Sequence, residues 1–521
     1  MFTRRASRIG LGLLLLSVSG CVAVSRTDGF RNVQQRVAGA ASAAPTFADQ
    51  NDRAAGDARV AELLAVPLTA PGAVQVAFLR NPVLLEASAR LGLSQADVVA
   101  ASRIANPVLS GSVIAGAGER QVIGGIGQSF TDVLLLSARK RLASGEYARA
   151  QQLVAASLLD LIRDTEAAWY RYVSAEQVST MRQAVARSAQ ASATLAERFF
   201  EAGNISELEL ALDRTGASQA QLATLRAAAD ARAAKYELQK KMGLAGDPAW
   251  RAVSKLPAPT PVTEAADPLV TRAHDQRADI VAARQEVALL ADAVHVATRW
   301  RWLGSADLGL ERERGTDGRV LTGPTLALAL PIFDQGQAGI ARAEAQLEQG
   351  RARLSALEAA ADHAVRFGLE RLAVARQVAE EYRLALVPQQ ELIVKRQQEL
   401  QNFMFIGQFE LLLSKQQQYE AYQGYLEAVR DFWLARVDLA RAVGADLPQQ
   451  SDLSDPAVGV DAILRAPTGR MDQTDHSHYG SHPVPSPSET GSHEMQVMPG
   501  MTRPAGEPRA HDASAPNGDH P

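Results

Sequence analysis

The feature that most constrains the fold of this chain is an internal repeat. Paired positions in the two halves lie roughly 200 residues apart. The glycines Gly203 and Gly243 match Gly407 and Gly444. The first helices of the two halves also start alike, with Asn81-Pro82-Val83 against Ala278-Asp279-Ile280. We therefore expect two similar structural repeats, at residues 71–247 and 265–447, joined by a Pro-rich linker at residues 248–264.

Each half contains a run of residues that predicts an unusually long helix. Residues 146–202 contain neither Gly nor Pro, and as one helix they would extend about 85 Å. Apolar side chains recur every three or four residues along both runs, which is typical of helices that pack side by side as in coiled coils. Gly350, Gly368 and Pro388 interrupt the second run, which we therefore expect to be kinked or divided. In each half the long helix is expected to break at the paired glycine, after which a second helix returns.

Two short segments in each half alternate apolar and polar residues, which is the pattern of β-strands. They lie at residues 108–117 and 121–130, and at residues 302–311 and 320–330. Helices predicted at residues 82–102 and 279–298 precede the two hairpins. Four strands cannot close a barrel, for which about eight are needed, whereas three copies would supply twelve. We predict a mainly α chain with a small β part, in which a homotrimer forms a 12-stranded β-barrel and a long α-helical barrel.

The composition excludes several classes of protein. A net charge of −4 with 21% charged residues gives no sign of nucleic-acid binding. Aromatic residues make up only 5%, which suits long helices packed through small side chains better than a compact catalytic core. Motifs such as H-E-x-x-H, G-x-S-x-G and the P-loop are missing from the sequence, so we expect no enzymatic activity. His274, His295 and His363 are scattered and are interpreted as surface or packing residues.

The N-terminus has the pattern of an exported lipoprotein. A basic start and a short apolar stretch precede Val18-Ser19-Gly20 and Cys21, the single cysteine. The apolar stretch is typical of a secretory signal and is too short for a membrane span of ~20 residues. Small residues before a cysteine predict removal of residues 1–20 and lipidation of Cys21. The alternative is an ordinary cleaved signal in which this cysteine has no role. Residues 21–70 are expected to form an extended segment.

Residues 448–521 have few bulky apolar residues and are rich in Pro, Ser, Gly, His and Asp, so we expect a disordered tail. Thioether and imidazole ligands together suit copper, and Met favours Cu(I). We hypothesise that this tail binds copper ions, against the alternative of a solvated tail of biased composition. No other cofactor is expected. The candidate ligands are His476, His478, His482, His493, Met495, Met498 and Met501.

Over residues ~70–447 the chain resembles the TolC-type outer-membrane efflux proteins. The resemblance depends on the duplicated order of helices and hairpins, on the paired glycine turns and on the Pro-Ile-Phe-Asp-Gln-Gly stretch at residues 331–336. Phe200-Glu201-Ala202-Gly203 and residues 425–433 look most like the heavy-metal branch, the CzcC- and CusC-like proteins. The family implies a homotrimer in the cell outer membrane that projects into the periplasm. Its implied partners are a periplasmic adaptor protein and an inner-membrane transporter of the RND type.

The expected function is therefore the outer-membrane channel of a tripartite efflux system for heavy-metal ions such as copper. One alternative is an outer-membrane duct for drugs or other small molecules. Another is a periplasmic coiled-coil scaffold or adaptor that spans no membrane. Trp300 and Trp302 are expected where a barrel would meet the lipid headgroups, with burial at a domain junction as the alternative.

The resemblance also places a periplasmic mouth near the turns at Gly203 and Gly407. Glu209 matches the acidic residue that follows the first turn in the family. At the second turn Phe409 stands where an arginine often follows, and Leu413 and Gln416 replace the usual aspartates, which puts a charge latch in doubt. A ring of Phe409 with Glu410 beside it is one way to close the mouth. Packing of Phe409 between neighbouring helices is the alternative.

Overall fold

Two helices precede the first repeat, α1 (Asp28–Ala40) and α2 (Arg53–Ala65). The computed structural model describes residues 28–41, 53–116, 119–261, 263–302 and 304–447. The extended segment predicted for residues 21–70 is wrong over these two described stretches. Val33 and Val37 lie one helical turn apart on α1 and are fully buried in a cluster with residues of α3, α4 and α5 (bounds below). Val33 and Val37 give α1 an apolar face, and packing of this face against the other helices stabilises α1 as a helix.

The two repeats follow the same order of helix, hairpin, helix and helix. The first contains α3 (Ala70–Arg80), α4 (Pro82–Ala101), β1 (Val108–Gly116), β2 (Glu119–Ser129), α5 (Phe130–Glu201) and α6 (Glu207–Met242). The second contains α7 (Ala266–Gln276), α8 (Ala278–Arg299), β3 (Ala306–Arg314), β4 (Val320–Leu328), α9 (Gln337–Glu381), α10 (Val387–Asn402) and α11 (Gln408–Val443). The prediction of a mainly α chain with a small β part of four strands is confirmed.

The four strands form one antiparallel sheet in the order β1-β2-β3-β4. The central pair joins the two repeats, because β2 and β3 pair from Val122 opposite Arg314 to Ser129 opposite Asp307. β3 begins and ends later than the predicted residues 302–311. Its charged end, Arg312–Arg314, lies beyond the predicted strand and stays in the ladder because β2 and β4 both pair with it.

Helix α5 is 72 residues long, which corresponds to about 108 Å. It begins at a cap in which the Ser129 hydroxyl group accepts a hydrogen bond from the Asp132 N–H. It also continues through Gly145, where a β-carbon would lie 2.1 Å from Leu289 Cδ2, so the glycine lets α8 pack closely against α5. Neither α5 nor any other helix in the described part of the chain is apolar enough over a sufficient length to cross a membrane.

The second long run is divided, as predicted, but not at its glycines. α9 continues through Gly350 and Gly368, where β-carbons would lie 2.8 Å from Leu290 Cδ1 and 3.2 Å from Leu439 Cδ1. These glycines therefore permit close packing. The division lies at a π-helical turn, Tyr382–Leu386, followed by Pro388 in the first turn of α10. Proline has no N–H to donate within a continuous helix, so the regular hydrogen bonding is interrupted there.

The largest core lies where both repeats meet the Pro-rich linker. On α11, Trp433 stacks on Tyr170 with ring centroids 5.3 Å apart, and its Nε1 donates a hydrogen bond to the Pro257 carbonyl group at 2.8 Å. On α5, Trp169 Nε1 donates to the Leu68 carbonyl group at 3.0 Å. Leu256 at the start of the prolines is fully buried. Trp433 of the second repeat, stacked on Tyr170 of the first, thus holds the linker in place.

Equivalent junctions close the two repeats. Gly243 ends α6, and a β-carbon there would lie 2.7 Å from Asn81 Cα. Gly444 ends α11, and a β-carbon there would lie 2.9 Å from Arg277 Cα. Asn81 and Arg277 each stand between two helices with an extended backbone. Asn81 is therefore equivalent to Arg277. The sequence-based pairing of Asn81 with Ala278 is wrong by one residue.

Candidate functional site

One face of the sheet is mainly apolar, with Arg120, Arg312 and Arg314 as the basic residues on it. Residues that pair across an antiparallel ladder lie on the same side of the sheet, and successive residues alternate between sides. The apolar face carries Leu109, Val113, Val122, Ile126, Leu308, Leu310, Val320, Pro324, Leu326 and Leu328. Most of these side chains are exposed in the single chain, with Leu109 at 83% and Leu326 at 66%. Such a surface requires an apolar environment to cover it.

Both edges of the sheet are open. β1 and β4 each have a neighbour on one side only. Each of these two edge strands is nine residues long and presents unpaired N–H and C=O groups, to which another strand can pair. Strands of this length also suffice to cross the hydrocarbon core of a bilayer when they are tilted.

The two tryptophans at the start of the second hairpin have different surroundings. Trp302 is exposed, and the Arg301 guanidinium group lies 4.5 Å from the centre of its ring. Trp300 follows the last residue of α8 and is partly buried. An exposed tryptophan stacked with an arginine, next to the apolar face of the sheet, suits the boundary between hydrocarbon and headgroups.

At the opposite end of α5, residues 202–206 form a short turn, the first tip. Gly203 has a left-handed backbone with φ of 73°. Its N–H donates to the Phe200 carbonyl group at 2.9 Å, and the Asn204 N–H donates to the Phe199 carbonyl group at 2.8 Å. These bonds satisfy carbonyl groups that the helix end leaves free.

Residues 403–407 form the second tip, between α10 and α11, with the same hydrogen bonds. The Met404 N–H donates to the Gln401 carbonyl group at 2.8 Å, and the Phe405 N–H donates to the Leu400 carbonyl group at 3.0 Å. Met404 has φ of 59° and is the single non-glycine residue with positive φ in the described ranges. Gly407 instead has φ of −75° and stands at the N-cap of α11.

The predicted pairing of Gly203 with Gly407 is therefore wrong by three residues. Gly203 corresponds to Met404, and Ser206, the N-cap of α6, corresponds to Gly407. Gly203 and Met404 are separated by 201 residues, as are Gly243 and Gly444. Glycine is the usual residue in a left-handed turn, so the sequence pointed to the wrong position.

Glu209 is a capping residue of the first tip. Its Oε2 accepts a hydrogen bond from the Ser206 N–H at 2.7 Å, and the Ser206 hydroxyl group accepts one from the Glu209 N–H at 3.2 Å. Hydrogen bonds from the Ser206 backbone and hydroxyl groups lower the pKa of Glu209 below its ordinary value. Glu410 takes the equivalent place in α11, but Gly407 has no side chain with which to form this capping box.

The side chain of Phe409 lies outside the described part of the structure, so its role as a plug stays a prediction. Its backbone occupies the second position of α11. The equivalent residue in α6 is Leu208, whose side chain is 69% exposed. Leu413 is also exposed, and Gln416 Nε2 donates a hydrogen bond to Glu420 Oε1 at 3.2 Å. Leu413 and Gln416, which lie on α11 after the second tip, are thus both at the surface.

Two features of the tips were not foreseen from the sequence. The second tip is apolar, because Phe403, Met404 and Phe405 are all largely exposed, with Met404 at 92%. Asp213, one turn after Glu209 in α6, is mostly buried, and its burial raises its pKa, with the charge of Glu209 adding to the effect. The run of three bulky apolar residues at residues 403–405 was the sequence signal that could have indicated the apolar second tip. Nothing local in the sequence indicates the burial of Asp213.

Cys21 and the candidate copper ligands lie outside the described residues, and the predictions for them are untested. Those ligands are His476, His478, His482, His493, Met495, Met498 and Met501. Within the described ranges, no group of three or more His, Cys, Asp or Glu side chains is placed to hold a metal ion. His274 lies near the surface and contacts Asp362, with 2.6 Å between Nε2 and Oδ1.

Solved structures of outer-membrane proteins share this fold. CusC, described in terms of transmembrane channel formation, has a TM-score of 0.62 and 16% identity over 73% of this chain and 93% of its own. The outer-membrane channel OprN has a TM-score of 0.62 and 16% identity, over 77% of this chain and 93% of its own. The outer-membrane protein VceC from Vibrio cholerae has a TM-score of 0.59 and 15% identity, over 75% of this chain and 97% of its own.

No family model and no curated protein sequence matches the chain. At identities of 15–16%, the TM-scores of 0.59–0.62 show a shared fold.

Proposed function

We propose that three copies of this chain form an outer-membrane channel, the exit duct of a tripartite efflux system. The observation that carries this proposal is the four-stranded sheet, with one apolar face and two open edges, at one end of a helix about 108 Å long. Lipid would cover the apolar face, and the long helices would continue the duct into the periplasm. The shared fold with outer-membrane channels supports this arrangement.

The open edges of the sheet support an assembly of several copies, which we propose is a homotrimer. One chain supplies four strands, and about eight is the natural minimum for a closed barrel. Pairing β1 of each copy with β4 of the next leaves no free edge once three copies have closed a ring. Closure is required in a membrane, because no water is present there to satisfy unpaired backbone groups.

Cross-linking across the strand edges tests the trimer. Ser112→Cys in β1 combined with Thr325→Cys in β4 should give covalent trimers with a short bis-maleimide reagent in isolated outer membranes. Gln121→Cys with Glu313→Cys is the matched control, because Gln121 and Glu313 are hydrogen-bonded within one chain. This control should stay monomeric on the gel, and a variant with Cys21 alone gives the background. Covalent monomers from both pairs would contradict the proposed assembly.

The principal alternative is a periplasmic coiled-coil scaffold, which also accounts for the long helices. It leaves the apolar face of the sheet without a role. Extraction of membranes with alkali distinguishes the two, because a scaffold is released while a barrel stays in the pellet and shows heat-modifiable mobility on gels. Release of the protein by alkali would favour the scaffold.

We further propose a lipid anchor at Cys21 and a function in heavy-metal efflux with an adaptor and an RND-type transporter. The lipoprotein motif supports the anchor, and the resemblance of residues 200–203 and 425–433 to the heavy-metal branch supports the metal cargo. Cys21→Ala should abolish labelling by a fatty-acid probe while assembled trimer remains. A peptide of residues 476–501 should bind Cu(I) more tightly than the same peptide with Met495, Met498 and Met501 changed to Leu. Equal affinities would leave the tail without a role in copper binding.

A further inference from the structure

Three arginines lie together on the apolar face of the sheet, at the end that carries the hairpin turns. Arg314 is opposite Val122 in β2, so Arg120, two residues before Val122, is its diagonal neighbour on the same face. Arg312 precedes Arg314 by two residues and shares that face as well. Neighbours of this kind have β-carbons about 7–8 Å apart, so the three guanidinium groups can reach one ligand. Together these residues form the arginine cluster.

The arginine cluster has no anionic partner within the described part of the chain. Its three side chains are exposed, and none of them forms an ion pair or a side-chain hydrogen bond there. The acidic residues of the same strand, Glu311 and Glu313, lie on the opposite face of the sheet. In the turn after β3, Asp317 pairs with Arg319 at 3.6 Å. The positive charge of the cluster is therefore open to an anion from outside the chain.

The surface beside Arg312 has room for a ligand. Arg312 is opposite Gly124, which is in turn opposite Gly111 in β1. A β-carbon at either glycine would have no neighbour nearer than a backbone oxygen at 4.0 Å, so no side chain covers this row. Val122 and Ile126 stand on the two sides of Gly124 on the same face. The glycines thus leave a shallow depression that is bordered by apolar side chains and by a guanidinium group.

The cluster stands at the height of a leaflet boundary. The apolar face of β4 extends from Leu328 to Val320, about 27 Å along the strand and about 21 Å along the membrane normal at a tilt of about 40°. The apolar band of outer-membrane barrels is about 25 Å tall, so Arg314, opposite Val320, lies near the outer edge of the band. Arg312 is about 5 Å deeper, and its long side chain can extend to that edge.

We propose that the arginine cluster binds the phosphate group of a lipid in the outer leaflet, and that an acyl chain of this lipid lies on the glycines beside Arg312. The proposal rests on the channel proposed above, in which the apolar face contacts lipid and the hairpin turns face the exterior. Guanidinium groups bind phosphate through paired, charge-assisted hydrogen bonds. The ligand is thus a phosphorylated glycolipid of the class of lipid A, at one site per chain.

The position of the charges favours a lipid over a soluble anion. Charged side chains on the lipid-facing surface of a barrel are destabilising, and the cost falls toward the interfaces. A phosphate at the interface neutralises the arginines where water is scarce, and the apolar border of the depression suits the acyl chain of the same molecule. A soluble phosphate ion would use the guanidinium groups and leave this apolar border uncovered.

The test is lipid binding by the purified full-length trimer, measured by native mass spectrometry with added diphosphoryl lipid A. The triple variant Arg120→Gln, Arg312→Gln, Arg314→Gln should bind lipid A about tenfold or more weakly than the wild type, because it loses several hydrogen bonds to a charged group. Binding of the zwitterionic phosphatidylcholine should be the same in both proteins. Binding of lipid A to the wild type should weaken between 0.1 M and 1 M ammonium acetate, because the screening length falls from about 10 Å to about 3 Å.

The matched control is Lys140→Gln, Arg141→Gln, Arg301→Gln, which removes the same number of positive charges from the helical side of the sheet. This control should bind lipid A as the wild type does. An equal loss of affinity in the control would show an effect of net charge and would overturn the site. If the triple variant does not assemble, Arg314→Gln alone, the middle residue of the cluster, replaces it and should still weaken binding measurably.

The outcomes separate this inference from the channel proposal. Release of the wild-type protein from membranes by alkali would contradict the channel itself. Intact trimers with equal affinity for lipid A in the wild type and in the arginine variant would leave the channel in place and overturn the inference. Displacement of lipid A by inorganic phosphate at an equal concentration would identify a site for free anions and would overturn the lipid as its ligand.

Discussion

Gly203 and Met404 occupy the same place in the two tips and share a left-handed backbone, with φ of 73° and 59°. A left-handed conformation costs roughly 1–2 kcal/mol for a residue with a β-carbon. The second tip tolerates this cost at a methionine that is almost wholly exposed, whereas the first tip avoids it with glycine. Strain is retained in native proteins mainly where the surrounding structure or the function requires it.

The first prediction compares Gly203, the left-handed residue of the first tip, with Gly407, the residue that the sequence alone paired with it. Gly203→Ala should destabilise the protein by about 1 kcal/mol, because a β-carbon is unfavourable at this φ even though the surrounding space is open. Gly407→Ser is the control and should keep stability or raise it by a few tenths of a kcal/mol, because its φ of −75° suits any residue and serine is a preferred N-cap. Unfolding temperatures followed by circular dichroism in detergent measure both. Equal losses would contradict the equivalence of Gly203 with Met404.

The second prediction concerns the junction at the end of α6. Gly243 and Gly246 both have positive φ, but only Gly243 faces backbone atoms at less than 3.0 Å, those of Asn81 and Arg80. Gly243→Ala should therefore cost several kcal/mol or prevent assembly, whereas Gly246→Ala should cost about 1 kcal/mol from backbone strain alone. Yield of trimer and unfolding temperature give the comparison. A similar effect of both changes would show that the contact with Asn81 is easily relaxed.

The third prediction is a pH dependence at α5. Burial acts to raise the pKa of Asp164, but hydrogen bonds from Lys241 and Arg441 outweigh it and hold the pKa below its ordinary value of 3.8. The stabilisation from Asp164 is thus fully present above about pH 4 and is lost as the pH falls through the lowered pKa. Asp164→Asn should lower the unfolding temperature at pH 7, and the difference from the wild type should disappear in acid.

Asp160, one turn earlier on α5, is the control with the opposite sign. Burial raises its pKa above the ordinary value, despite attraction from Arg441. Its ionisation therefore costs stability, and that cost appears as the pH rises from about 4 through the raised pKa. Asp160→Asn should leave stability at pH 7 unchanged or slightly increased. A loss at pH 7 equal to that of Asp164→Asn would mean that both carboxylates serve the same ion-pair network.

The fourth prediction concerns closure of the mouth by Phe409. Phe409→Ala should raise single-channel conductance, because an apolar plug repeated three times around the axis disfavours water in a closed pore. Leu208→Ala changes the equivalent residue of the first tip and should leave conductance unchanged. Planar bilayers measure both, with trimer content checked on gels. Equal conductance of Phe409→Ala and wild type would leave Phe409 as a packing residue.

The sequence by itself determined the elements of the two repeats. The absence of Gly and Pro over residues 146–202 predicted the long α5, and strict alternation predicted the two hairpins. Pro388 predicted the division of the second run, which lies at the π turn directly before it. These properties follow from the local backbone and from the spacing of side chains along one segment, so periodicity and turn residues are enough to find them.

Tertiary structure decided how the elements meet. It placed Met404 and not Gly407 opposite Gly203, and it turned Gly145, Gly350 and Gly368 from apparent helix breakers into points of close contact. It also paired β2 with β3 across the two repeats, which brings Glu119 and Glu311 to one face of a single sheet. The physical reason is that these relationships join residues far apart in the chain. Each depends on which surfaces pack together, and no local pattern records that choice.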